Sequence, residues 1–478
     1  MKKRLLIAVS LLMILTTVLS ACNLPVALSR RAGQAAAQDA APEETQAAPE
    51  ETQAAPEEKQ AAPEEARATA EETEAVTETT EPVASVTEET TPEATADPLP
   101  SGDGTYGPTD FPEGISPLTG KATDPELLKL PPALISVSNF PASARPQSGL
   151  NTSPMVFEIT IGEGMTRFLA MFYGAFPEVV SGLTEGGSSG DSGDSGSDGG
   201  STSGDSGTPS AAASASIGPI RSGRLPYEGI RSLFSGFLVM ASAYSGVAQT
   251  LSDTTTIYGS DSDDINSALI DVSQLYNIAL ARSQGYPGSN FSLEGMKFSP
   301  DVPEGGLPAD TVWVFYSNLN QIQWRYDEEL GAYVRYDIKT DGSGEFVMST
   351  DRLDGQPITR ENVIVLYAPH TFYAPTLIDI TLTNMPPVKA MLFRDGQAFE
   401  IFWTTKYGDY EKETGLLRPI RYQDANGDPV ALKNGATWVE VMTMTSFAVE
   451  SEISAYPFFP IKEAEGTGLW LVRYKGTY

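Results

Sequence analysis

Four arginines stand in or beside loops rich in glycine and proline. Arg145 lies in Ala144-Arg145-Pro146-Gln147-Ser148-Gly149-Leu150, Arg167 in Gly164-Met165-Thr166-Arg167-Phe168, and Arg221 and Arg224 in Gly218-Pro219-Ile220-Arg221-Ser222-Gly223-Arg224. A guanidinium presents five donors in a planar fork that matches carboxylates and phosphates. With Asn139, Gln147, Ser148 and Ser222, these arginines make a candidate set for gripping an anionic ligand. If Arg221 and Ser222 precede a helix starting near Pro226, its unpaired N–H groups add a positive end beside them. A structural reading competes: the arginines pair with Glu158 and Glu163 and pin loops to a sheet. A third possibility gives the carboxylates the chemistry, with Glu158 and Glu163 as acid and base of an envelope hydrolase or transferase. That requires the two to be close together and not neutralised by arginine.

Other chemistry has little to work with. His370 is the only histidine, so a Ser-His-Asp enzyme must use it, and multi-histidine zinc or iron sites are excluded. There is no Gly-X-Ser-X-Gly elbow, no His-Glu-X-X-His, no Walker loop and no Gly-X-Gly-X-X-Gly opening a helix. Asp424-Ala425-Asn426-Gly427-Asp428 has the opening of a calcium loop. Gly435 stands where the bidentate glutamate belongs, so a tight turn is expected there. No cofactor and no metal are expected.

The elements that must position the arginines fall into two regions. In the first, residues 114–300, Ala133 to Asn139, Met155 to Ile161 and Thr166 to Phe176 read as strands. A flexible Gly/Ser/Asp insert at 181–216 interrupts the region. Leu225 to Phe234 then suits a helix, Phe237 to Ser242 a buried strand, Ser245 to Leu251 a short helix, and Ile265 to Ser283 a longer helical passage. A mixed α/β layer follows from that succession. The second region, 305–478, alternates in the manner of antiparallel strands. Asp395-Gly396 marks a hairpin, and Arg325 with Arg335, and Tyr326 with Tyr336, are expected to be neighbours across another. Trp313, Trp324, Trp403 and Trp438 are expected in the core. The fold class is therefore α+β: a mixed α/β domain, then a mainly antiparallel β domain.

Composition adds an address. The net charge is −32, which argues against nucleic acid as a partner. Residues 1–21 open with Lys2, Lys3 and Arg4, continue through an apolar run and end in small residues, the layout of a signal peptide. Leu19-Ser20-Ala21-Cys22 resembles the lipobox of bacterial lipoproteins, which implies a diacylglycerol on Cys22 and anchoring on the extracytoplasmic face of the cell membrane. Cys22 is the only cysteine, so the core must hold without disulfides. Residues 22–113 form an acidic Ala/Pro/Glu/Thr stretch with a seven-residue repeat. The proline in each repeat breaks a helix, and up to Pro100 the stretch lacks aromatics and is heavily acidic, so it cannot bury enough to fold. A disordered tether is expected.

Ser116-Pro117-Leu118-Thr119-Gly120, Asn139 and the three arginine motifs occur in that order. Together they resemble the YerB-like family of bacterial lipoproteins, from about Ser116 to the C-terminus, whose two-part domain has no established function. This chain has Met240-Ala241-Ser242-Ala243-Tyr244-Ser245-Gly246 where many members of that family carry a histidine. The expected molecule is a lipid-anchored, non-catalytic binding or scaffolding module. Its partners are the membrane, through the lipid, and an anionic envelope ligand or an envelope protein.

Overall fold

The computed structural model describes residues 101–177, 215–258, 268–285, 291–452 and 463–476. The signal segment, Cys22, the repeats and nearly all of the 181–216 insert lie outside them. Residues 101–113, assigned to the tether on composition, are built into the body. Tyr106 exchanges backbone hydrogen bonds with Phe298, and the Asn434 amide donates to the carbonyls of Gly102 and Gly104.

The described residues are mainly β, with few helices. Strands β1 (Ala133–Ser138), β2 (Met155–Gly162) and β3 (Met165–Phe172) are antiparallel neighbours in the order β2-β3-β1. Helix α1 (Pro226–Leu233) leads into β4 (Phe237–Met240), which lies parallel to β1. β5 (Thr254–Thr256) is parallel to β4, and helix α2 (Val272–Gly285) follows. Residues 265–267 of the helical passage expected from Ile265 lie outside the described residues, and the helix begins at Val272, after Ile270–Asp271 has paired with Ser216–Ile217.

The second half contributes β6 (Thr311–Ser317), β7 (Asn320–Asp327), β8 (Ala332–Ile338) and β9 (Phe346–Met348). Next come β10 (Asn362–Ala368), β11 (Val388–Arg394), β12 (Gln397–Thr404) and β13 (Arg421–Gln423). The last three are β14 (Thr437–Thr443), β15 (Phe447–Glu450) and β16 (Leu469–Arg473). Asp395 and Gly396 both take positive φ, as a two-residue hairpin between β11 and β12 requires. The β7–β8 register pairs Trp324 with Arg335 and Arg325 with Val334, so the expected arginine and tyrosine neighbours are offset.

One eleven-stranded sheet runs β13-β12-β11-β10-β14-β2-β3-β1-β4-β5, with Leu307–Pro308 beside β12. β2 lies parallel to β14, so the two regions separated near residue 300 on sequence pattern share a sheet. A seven-stranded sheet, β9-β8-β7-β6-β16-β15 with Thr359–Arg360 beside β8, packs on one face of it. That face buries Val137, Val156, Phe168 and Trp438 against Val312, Val314, Trp324 and Tyr333. The opposite face buries Phe157, Ile159, Leu169 and Val439 with Tyr227, Ile230 and Leu233 of α1. Cover on both faces explains why every residue of β2, β10 and β14 is buried.

Candidate functional site

Strand alternation decides which way each charged side chain points. Val156 and Trp438 face the second sheet, so Glu158 and Glu440, two residues further on each strand, face it too. The register sets these two carboxylates side by side, both with no solvent exposure. Tyr333 of β8 points back at them, and Arg335 and Asp337 follow it with the same parity. Arg335 Nη1 donates to Glu158 Oε2 at 2.8 Å and lies 3.9 Å from Glu440 Oε1, while Nη2 donates to Asp337 Oδ1 at 3.1 Å. Its guanidinium sits over the rings of Trp438, Phe168 and Trp324 at 4.6, 5.2 and 5.4 Å.

Glu158 is saturated: it also accepts from Thr166, Asn139 and the Trp438 indole. Glu440 accepts from Tyr316 at 2.8 Å and Trp324 at 3.0 Å. Burial, reinforced by the Glu158 charge, pushes its carboxyl up to about 8. Burial pushes Asp337 up, but Arg145 and Arg335 outweigh that and leave it below the usual carboxylate range. With Glu440 protonated, two arginines and two carboxylates balance.

Arg145 is the outer end of this network. Its Nε donates to Asn139 Oδ1 at 3.0 Å, and Nη1 lies 3.5 Å from Asp337 Oδ1. Arg145, Gln147 and Asp337 line a cleft of about 390 Å³ walled by Ile338, Val347 and Met348.

Arg167 has the opposite parity from Thr166 and Phe168, so it leaves β3 on the α1 face and cannot reach Glu158. Its Nη1 donates to Ser222 O at 2.9 Å, and that carbonyl also receives the Ser136 hydroxyl. Ser222 belongs to the segment carrying Arg221 and Arg224. That segment is bonded to β1 through Arg221 N and Ser136 O, and to the end of β4 through Gly223 N and Ser242 O. The helix expected near Pro226 is α1, with proline in its first turn. Three guanidiniums thus gather at the carboxyl ends of the parallel strands β1, β4 and β5.

No carboxylate lies within ion-pair distance of any of the three among the described residues. Arg167 is 6 % exposed, and its Nε and that of Arg224 are buried with no hydrogen-bond partner. Burial, with the Arg224 and Arg221 charges, lowers Arg167 to about 10, and burial lowers Arg221. Tyr227 sits within their field, its hydroxyl bonded to Ser136 and its acidity reduced by burial.

The candidate set therefore divides. Arg145, Asn139 and Gln147 belong to the face toward the second sheet; Arg167, Arg221, Ser222 and Arg224 belong to the other. Ser148 positions backbone, its hydroxyl donating to Ser216 O. Glu163 is exposed, on the β2–β3 turn at φ 54°, whereas Glu158 is enclosed. The partner of Glu158 is Arg335, an arginine that cross-strand pairing alone did not single out. His370 Nδ1 lies 2.9 Å from Ala368 O, its ring near Phe372 and Tyr474, and burial lowers it to about 4. Asp424 closes a turn by accepting from the N–H groups of Asn426 and Asp428.

These features define a two-sheet β protein with a buried ionic core and a separate basic site. The chain carries both domains of a family of proteins of unknown function, DUF3048. Residues 118–183 match the N-terminal domain and 312–439 the C-terminal domain. It is similar to the Bacillus subtilis (strain 168) protein named "Putative lipoprotein YerB", 23% identical over 342 residues, covering 68% of this chain and 86% of that one. The crystal structure of YerB from Bacillus subtilis matches with a TM-score of 0.48 and 21% identity, over 68% of this chain and 96% of that one.

Proposed function

We propose that this chain is a lipid-anchored extracytoplasmic binding module. Cys22 carries the lipid, the acidic stretch up to residue 100 is a disordered spacer, and the body takes an anionic envelope ligand at Arg167, Arg221 and Arg224. The lipobox-like segment and the name of the Bacillus subtilis relative support the anchor. The observation that carries the ligand reading is three clustered guanidiniums with no carboxylate partner among the described residues. Like charges held together and partly desolvated are costly unless something offsets them, and a bound anion does so. Their place suits the purpose. With the first half read as a mixed α/β layer, ligands of such sheets settle outside the carboxyl ends of parallel strands. The rival reading, acid–base catalysis by Glu158 and Glu163, has less support, since Glu158 is enclosed and neutralised by Arg335.

Titration calorimetry of the full chain with inorganic phosphate tests the site. Saturable binding is expected, weakened about tenfold or more by Arg221→Ala with an unchanged melting temperature, since Arg221 is half-exposed. Phosphate that neither binds nor raises the melting temperature at a large excess removes the reading.

A further inference from the structure

We propose that the ligand of the three-arginine site is a phosphorylated saccharide, its phosphate held by Arg167, Arg221 and Arg224 and its sugar ring laid on Tyr244 or Tyr258. This rests on the anion reading above and adds the chemical class. The two tyrosines are 71% and 77% exposed, among the most exposed large side chains of the described body. Both are delivered to the same end of the sheet as the arginines. Ala241 N donates to Arg221 O and Gly223 N to Ser242 O, so the strand leaving β4 runs alongside the arginine segment, and Tyr244 follows two residues later. Ile257 N donates to Met240 O at the end of β5, and Tyr258 is the next residue. A tyrosine left in water gains nothing from burial, whereas its amphipathic ring can cover the C–H face of a sugar and hydrogen-bond the hydroxyl groups.

The number of arginines selects the anion. One carboxylate is satisfied by a single bidentate fork; three guanidiniums supply more donors and charge than its two oxygens use. A phosphate monoester, with about −1.5 to −2 charge and three strong acceptor oxygens, matches them.

The test uses the full chain with glucose 1-phosphate, glucose, inorganic phosphate and adenosine monophosphate as calorimetric probes. Glucose 1-phosphate is expected to bind about tenfold tighter than phosphate, a margin of roughly 1.4 kcal/mol, with glucose alone not binding. The Tyr244→Ala, Tyr258→Ala double variant is expected to abolish that margin and leave the phosphate affinity unchanged. Both side chains are solvent-exposed, so the variant should keep the wild-type melting temperature. Equal affinities for phosphate and glucose 1-phosphate overturn the saccharide class and leave the anion reading standing. So does a margin that survives loss of both tyrosines. Adenosine monophosphate binding tighter than glucose 1-phosphate overturns it in favour of a nucleotide. Binding of none of the four removes the saccharide and the anion reading together.

Discussion

Replacing Glu440 by glutamine should make the protein more stable at alkaline pH than the wild type, and nearly indistinguishable from it in mild acid. Glu440 is fully buried and its carboxyl is pushed up to about 8, by burial first and by Glu158 second. In the unfolded chain a glutamate titrates near 4.3. Between those values the native state holds a proton that the unfolded chain has released, so stability falls as pH rises. The contribution of this carboxyl is complete below about pH 4.3 and is lost as pH rises through about 8. A difference of three to four pKa units corresponds to roughly 4–5 kcal/mol at the alkaline limit, at about 1.4 kcal/mol per unit. Glutamine keeps the shape and one carbonyl for Tyr316 or Trp324, and it has no proton to lose. Urea unfolding of both proteins, followed by fluorescence of the buried Trp324 and Trp438, should give free energies that diverge by a few kcal/mol between pH 5 and pH 9. Parallel curves across that range would refute the buried, protonated Glu440.

Arg335→Ala leaves Glu158 buried without its counter-charge and opens a gap between three aromatic rings. A loss of about 3–5 kcal/mol in unfolding free energy is expected, measured by the same urea titration. Gly164→Ala should cost about 1–3 kcal/mol, because Gly164 sits at φ +73° and an added Cβ would lie 2.3 Å from Ser317 Cβ; a drop of several degrees in melting temperature reads this out. Asp337→Asn should remove stability that the wild type shows at neutral pH and loses in acid, since the native carboxylate titrates below its unfolded value. The two proteins should converge as pH falls through that titration. Cys22→Ser should abolish incorporation of radiolabelled palmitate and release the protein from the membrane fraction.

Much of the local structure was readable from residue order. The alternation of β-branched and aromatic residues located β1 and β2 to within a residue and marked the second half as a run of strands. Asp395-Gly396 located its hairpin and Pro226 the start of α1. The arginine motifs were likewise visible, as was the turn at Asp424. β16 escaped notice because a short strand at Leu469–Arg473 has no pattern of its own until it is seen beside β6.

Partnership was another matter. Alternation tells that Thr166 and Arg167 point to opposite faces, but not what waits on either face. Glu158 meets Arg335 across 177 residues because β8 belongs to a second sheet packed on the first, and Glu440 arrives beside it because β14 pairs in parallel with β2. Composition and pattern sufficed for many of the strands and for the basic loops, since each depends on neighbours a few residues away. Which arginines meet a carboxylate, and which gather away from any among the described residues, depends on sheet order and register. Those are set by which apolar faces bury each other over hundreds of residues, a contest among distant segments that only the packed chain decides.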